Sequence, residues 1–136
     1  MANVKISALT SASALDGTEA LPVVQSSTTK KATVAQILTG QIVTEAGTSK
    51  TLASTDNGKI IYCTSASAVT INCAADLGAG FNCTIIQGGA GKVTVAANGQ
   101  TLVSYSSLFS TMGQYAVISL VAPVANTFVA AGNLGV

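Results

Sequence analysis

The sequence lacks several residue types on which enzymes and ligand-binding proteins commonly depend. Its 136 residues include no histidine, no arginine and no tryptophan, and only 8% of them are charged. Without histidine there is no side chain whose ordinary pKa suits proton transfer near neutral pH, and without arginine there is no guanidinium to clamp an anion. The sequence therefore predicts a protein that is not an enzyme and has no catalytic residues.

The remaining polar residues do not form a recognisable catalytic pattern. Asp16 and Glu19 are the only closely spaced acids, and they flank a turn, where solvated carboxylates are expected rather than an acid and base pair. Serine and threonine are plentiful, but a nucleophile needs a neighbouring base. The glycine-rich residues 88–91 precede Lys92 without the G-x-x-x-x-G-K-[ST] spacing of a phosphate loop, and they predict a hairpin turn instead.

Charge is too sparse and too scattered for two classes of partner. Six lysines and five acids give a net charge of +1, and only Lys30 and Lys31 are adjacent, so we expect no nucleic-acid partner. The longest apolar run, residues 115–125, is shorter than the roughly 20 residues that span a membrane, so we expect no membrane partner. So few charges predict an exterior partly covered by identical or different subunits, the alternative being a monomer coated with serine and threonine.

Three cysteines, at positions 63, 73 and 83, are an odd number for a disulfide framework and fit reduced thiols made in a cytosol. Their spacing predicts three neighbouring strands that share one face. Close Cys-x₂₋₄-Cys pairs are absent, so thiols packed in a core are favoured over metal ligands. We expect no metal site and no cofactor.

Alternation of apolar and polar residues is strongest in residues 59–97, which indicates strands with one face on a core. Asn57-Gly58 and Asn98-Gly99 are typical of two-residue hairpin turns. About eight short strands predict a mainly β fold, a small antiparallel β-sandwich or barrel with an extended N-terminal arm and one short helix.

The predicted division places an N-terminal arm in residues 1–45 and a β knob domain in residues 46–136. In the arm, residues 21–25 and 30–33 predict a small hairpin, and residues 34–38 predict the short helix, with Thr33 as its N-cap and Gly40 as its stop. Residues 41–50 are interpreted as the connection to the knob.

The order of motifs resembles virion proteins of tailed bacteriophages. In the arm, the matching motifs are Ile6-Ser7-Ala8-Leu9, Ala14-Leu15-Asp16-Gly17-Thr18-Glu19, Leu21-Pro22-Val23-Val24-Gln25 and Lys31-Ala32-Thr33-Val34-Ala35-Gln36-Ile37. In the knob, they are Asp56-Asn57-Gly58-Lys59, Ala68-Val69-Thr70-Ile71, Gly80-Phe81 with Cys83, Gly91-Lys92-Val93-Thr94-Val95, Gly113 with Tyr115, Asn126-Thr127-Phe128-Val129 and Gly132-Asn133-Leu134. One departure is Phe128, where the family pattern leads us to expect tryptophan.

The resemblance implies a non-enzymatic virion protein, made in the cytoplasm of the bacterial host and assembled as a homotrimer. An arm followed by a knob suits a capsid decoration, or cement, protein that binds the major capsid protein or another virion protein. The alternative is a short tail fibre or fibre-adaptor protein. Apolar arm positions would bind that partner, namely Ile6, Leu9, Leu15, Leu21, Val23, Val34 and Ile37.

A carbohydrate-binding β module is a further alternative, because small β domains often bind sugars on aromatic platforms. Its candidate residues are Tyr62, Tyr105 and Tyr115. Each of them is also explained as a strand residue with its hydroxyl at the surface.

Overall fold

The computed structural model describes residues 18–34, 37 and 41–136. The chain divides into two units, Met1–Thr39 and Gly40–Val136. The elements bounded within the described residues are thirteen strands and one 3-10 turn.

The first unit contains the hairpin that the sequence predicts. Strand β1 (Ala20–Gln25) pairs antiparallel with β2 (Thr28–Thr33) across a two-residue turn. Ser26 and Ser27, the turn residues, have φ angles of 52° and 60°, and two positive φ angles match the right-handed twist of the strands on either side. The pairing extends beyond the strands, because the amide of Val34 donates to the carbonyl oxygen of Glu19 at 2.9 Å.

The second unit has one five-stranded and one six-stranded sheet. In chain order its strands are β3 (Ile42–Glu45), β4 (Ser49–Thr51), β5 (Ile60–Cys63), β6 (Val69–Asn72), β7 (Asn82–Gln87), β8 (Val93–Ala96), β9 (Thr101–Val103), β10 (Ser110–Thr111), β11 (Val117–Val124), β12 (Thr127–Gly132) and β13 (Leu134–Gly135). The five-stranded sheet has the order β13-β10-β8-β6-β4, and the six-stranded sheet has the order β3-β5-β7-β11-β12-β9.

The chain passes alternately through the two sheets, so β3 to β8 form a β-solenoid of about three turns. Strands β3, β5 and β7 pair parallel in one sheet, and β4, β6 and β8 pair parallel in the other. Ile42 lies opposite Ile60, and Ile60 lies opposite Thr84, so successive turns advance the chain by 18 and then 24 residues. Each turn therefore lies directly on the previous one.

The hydrophobic core lies between the sheets and consists of stacked aliphatic ladders. In the six-stranded sheet, Ile61 and Ile85 are opposite each other and completely buried. In the five-stranded sheet, Val69 lies opposite Val93 and Ile71 opposite Val95, all buried. Because the side chains of a strand alternate between its faces, one residue in two enters this core, and its neighbours face outward.

Antiparallel strands end the parallel coil. Strand β11 pairs antiparallel with β7, and β10 pairs antiparallel with β8, so both sheets are continued in the opposite direction after the third turn. Strand β12 forms a hairpin with β11 and contributes Phe128, whose ring meets Phe81 edge to face with the ring centroids 6.5 Å apart. The C-terminal strands thus close the core at this end.

The predicted antiparallel sandwich or barrel is wrong, because the consecutive strands of the coil pair with strands two positions away and in parallel. Asn57-Gly58 and Asn98-Gly99 do turn the chain, with φ angles of 72° at Gly58 and 49° and 83° at Asn98 and Gly99. Each turn connects one sheet to the other, however, and does not join paired strands. The glycine-rich residues 88–91 likewise connect β7 to β8 in the opposite sheet.

Residues 41–50, interpreted as a connection, contain β3 and the start of β4, which form the first turn of the solenoid. The short helix predicted over residues 34–38 includes residues 35, 36 and 38, which lie outside the described residues.

Successive turns approach so closely at residues 88–91 that only glycine fits at two positions. A Cβ atom on Gly91 would overlap the carbonyl oxygen of Ser67, and one on Gly89 would overlap that of Ser65. Both obstacles are backbone atoms of the previous turn, which cannot rotate away. These glycines therefore set the distance between the second and third turns.

We expect Gly91→Ala to lower the free energy of unfolding by at least about 2 kcal/mol, because the added methyl group forces two turns apart. Gly78→Ala is the matched control, since a Cβ there meets no atom within 4 Å, and its effect should stay within about 0.5 kcal/mol. Urea denaturation followed by circular dichroism measures both. Equal stability of the two variants would contradict the close approach.

Candidate interaction surfaces

The structure places two of the predicted arm residues on one face of the hairpin. Leu21 lies opposite Ala32, and Val23 lies opposite Lys30, so these four side chains share a face. Leu21 is 47% exposed, and Val23 is half-buried. Of the other predicted positions, Val34 is half-buried and Ile37 is exposed, whereas Ile6, Leu9 and Leu15 lie outside the described residues.

The opposite face of the hairpin carries an apolar residue, Val24, that is not among the predicted partner-binding positions. Val24 is 76% exposed and lies opposite Thr29. Its alternation with Val23 could have identified it, since neighbouring residues of a strand face opposite sides. None of the described residues of the first unit is fully buried. A two-stranded hairpin without a core is at best marginally stable in water.

The amides of the three glycines in the glycine-rich turn are not available to a phosphate. Gly88 and Gly89 donate to the carbonyl oxygen of Cys63 at 2.7 and 2.9 Å, and Gly91 donates to that of Ser65 at 3.0 Å. The buried side chain of Gln87 donates to the carbonyl oxygen of Gly89 at 3.2 Å and accepts a hydrogen bond from buried Thr111. This turn fastens one solenoid turn to the next.

The three cysteines are buried in the core as free thiols. Cys63 and Cys83 lie on neighbouring strands β5 and β7 of the six-stranded sheet, but Cys73 follows β6 in the other sheet. The prediction of three neighbouring strands sharing one face is therefore wrong, because consecutive strands alternate between sheets. Burial raises the pKa of Cys63 and Cys73 to about 11 and that of Cys83 to about 12.

One lysine and one aspartate converge inside the first turn. Asp56 is buried, and its Oδ2 lies 3.2 Å from Nζ of Lys50 and accepts a hydrogen bond from the amide of Ala53 at 3.0 Å. Lys50 lies in register with buried Ile71, so it occupies a position that points toward the core. The pair holds the 3-10 turn over Ser54–Asp56 against β4, which is a structural role.

The described residues offer little for a metal or an internal ligand. No three of their histidine, cysteine, aspartate or glutamate side chains are grouped so that they could hold a metal ion. Every buried side-chain nitrogen or oxygen among them has a hydrogen-bond partner, so no polar atom in this core awaits a ligand. In the part of the chain that the structure describes, no helix has the length and apolar character to cross a membrane.

Two open cavities lie on the surface of the second unit. One, of about 230 Å³, is lined by Ser54, Asn57 and residues 77–81. The other, of about 250 Å³, includes Met112 and Tyr115, of which Tyr115 is 70% exposed. Tyr105 is fully exposed, whereas the ring of Tyr62 occupies the space beside Gly88.

The outer faces of the two sheets differ in chemistry. On the five-stranded sheet the outward residues are mainly hydroxyl and amide side chains, namely Ser49, Thr51, Thr70, Asn72, Thr94, Ala96 and Ser110. Several bond to one another: Asn72 donates to Ser49 Oγ at 3.2 Å, and the hydroxyls of Thr94 and Ser110 lie 2.8 Å apart. This face is a polar surface of the kind that water covers.

The outer face of the six-stranded sheet is largely apolar. Row by row across the strands, its residues are Thr44, Tyr62, Ile86 and Val117; Ile42, Ile60, Thr84, Ser119 and Ala131; Asn82, Val121, Val129 and Val103; and Thr127 with Thr101. None of these fifteen residues is charged. We call this set the apolar face.

Comparison with known proteins found no matching protein-family model and no curated protein of similar sequence.

We expect Asp56→Ala to lower the free energy of unfolding by about 3 kcal/mol, because it leaves Lys50 without its ion pair and the amide of Ala53 without its acceptor. Asp56→Asn, which keeps an acceptor oxygen, should cost less. Asp76→Asn is the control at an exposed carboxylate. If Asp56→Ala is no more harmful than Asp76→Asn in urea denaturation, the pair does not hold the first turn.

We expect the thiols of the folded protein to react with iodoacetamide at pH 8 at least about a hundredfold more slowly than those of the chain in urea. A pKa raised from about 9 to 11 or 12 favours the neutral thiol, whereas the thiolate is the reactive form. Mass spectrometry of alkylated peptides measures each cysteine separately. Rapid alkylation of Cys83 without denaturant would contradict its burial.

Proposed function

We propose that the protein is a non-enzymatic structural protein of a tailed-bacteriophage virion, a trimeric capsid decoration protein anchored by its N-terminal arm. Its assembly would take place in the cytoplasm of the bacterial host, and its partner would be the major capsid protein or another virion protein. The order of motifs in the arm and the knob supports this proposal. The observation that carries it is the hairpin of β1 and β2, which exposes apolar side chains on both faces.

The hairpin has the properties of a segment that is completed by a partner. Leu21 and Val24 are exposed on opposite faces, so a single contact surface would cover only one of them. Two-stranded hairpins gain stability when a further strand or an apolar surface covers them. Lys30 and Lys31, also on opposite faces of β2, would remain at the rim of such a contact.

The second unit has the properties of a self-sufficient knob. Its core is continuous from Leu52 in the first turn to Ala130 in β12. A trimer of such knobs would present three arms to the capsid. Weak contacts of single arms would then combine into strong attachment.

The test requires a bacteriophage that carries this protein. Antibody labelling in electron micrographs of purified virions should place it on the head. Labelling confined to the tail would overturn the decoration role and favour the short tail fibre or fibre-adaptor protein.

We expect the double variant Leu21→Asp and Val24→Asp to reduce occupancy of virions at least about tenfold, because two charges replace apolar contacts of each arm. Quantitative mass spectrometry against the major capsid protein measures the occupancy. Thr28→Asp, at an exposed polar position of the same hairpin, is the control and should occupy virions as the unchanged chain does. Full occupancy by the double variant would show that the hairpin is not the anchor.

A further inference from the structure

We propose that the apolar face of the six-stranded sheet is the surface through which copies of this chain associate. The proposal deepens the proposed homotrimer, on which it rests, by naming the residues of its interface. At the centre of the face, Val121 lies opposite Val129, and Val129 lies opposite Val103. All three are exposed, at 41%, 37% and 44%, so a continuous row of branched side chains crosses three strands.

The charged residues of the second unit lie away from this face. Lys50 and Asp56 are paired inside the first turn, Glu45 ends β3 in register with buried Cys63, and Lys59, Asp76 and Lys92 lie in the connections between strands. The centres of protein interfaces are depleted in charge in the same way. The uncharged character is therefore a property of this face and is not shared with the connections around it.

A second copy of the chain is the occupant that this chemistry favours. A face without charge offers no ion pair to a charged partner, whereas another such face meets it without desolvating any charge. In a homotrimer, three such faces converge on the threefold axis, and the outward side chains of each copy pack between those of its two neighbours. The apolar face has the required rows of valine, isoleucine and threonine at the spacing of its own strands.

The size of the face sets the area that such an assembly can bury. Six strands about 4.8 Å apart, with outward residues in rows about 6.7 Å apart, cover roughly 500 Å² per copy. A homotrimer that buries the face of every copy therefore removes roughly 1,500 Å² from water in total. The hydroxyl-lined face of the other sheet then remains toward solvent.

The test places like charges at the centre of the face. We expect the unchanged chain to sediment at three times its monomer mass of 13.4 kDa, and the double variant Val121→Lys and Val129→Lys to sediment as a monomer with unchanged circular dichroism. Thr51→Lys with Thr70→Lys adds the same charge to the opposite outer face and should remain a trimer. Assembly of the valine variant at the level of this control would overturn the proposal.

A second measurement protects the test against a variant that merely folds poorly. The variant Val121→Glu with Val129→Glu should also be monomeric with unchanged circular dichroism, because like charges of either sign repel at the same contacts. Assembly of the glutamate variant as a trimer would overturn the proposal.

The results of these experiments distinguish failure of the proposed interface from failure of the proposed function. A dimer of the unchanged chain that the lysines dissociate keeps the apolar face as the interface but removes the trimer. A monomer of the unchanged chain at high micromolar concentration overturns both. If the protein is absent from virion heads, the decoration role is wrong, but the interface inferred from sedimentation still holds.

Discussion

The in-register stacking of parallel turns is the constraint on which the rest of the structure depends. Ile61 lies opposite Val43 on one side and Ile85 on the other, so a single inward-facing position repeats through three turns, half-buried at Val43 and completely buried at Ile61 and Ile85. Each turn obtains its backbone hydrogen bonds and its apolar contacts mainly from its neighbours, which is the general energetic character of solenoids. The glycines at 89 and 91 follow from the same constraint, because stacked turns leave no space for a side chain where their backbones cross.

The two ends of the solenoid are terminated in different ways. At the third turn, β10 and β11 reverse direction and cover the ladder with antiparallel pairing. At the first turn, β3 and β4 pair with one described strand each, and Lys50 occupies a core-facing position where it meets buried Asp56. Inward-pointing charge at an edge strand discourages further strands from joining. The ion pair thus gives the first turn a defined end at the cost of a purely apolar core.

The sequence was sufficient to locate strands but not to pair them. Alternation of apolar residues identified the strands within residues 59–97, β5 to β8, because burial of one face depends on local pattern alone. Whether β5 pairs with β6 or with β7 depends on contacts between residues about 20 positions apart, which alternation does not encode. Strand β4, with the sequence Ser-Lys-Thr, has no apolar residue and is held by pairing to β6. The exposed Leu21 was recognisable from its strand, whereas the apolar face exists only once six strands are assembled side by side.

The fold shows where on the surface the residues without charge are concentrated. A composition with 8% charged residues predicts covered surface somewhere, without stating where. The outward residues of the five-stranded sheet are mostly hydroxyl side chains, and those of the six-stranded sheet are mostly branched aliphatic side chains. This separation depends on the register of the strands and cannot be derived from the number of each residue type. Among the described residues, the hairpin and the apolar face both expose apolar side chains, and they differ in kind. The hairpin is narrow and has lysines beside its apolar residues, whereas the apolar face is broad and uncharged. For this reason we propose a different protein as the partner of the hairpin and a copy of this chain as the partner of the apolar face.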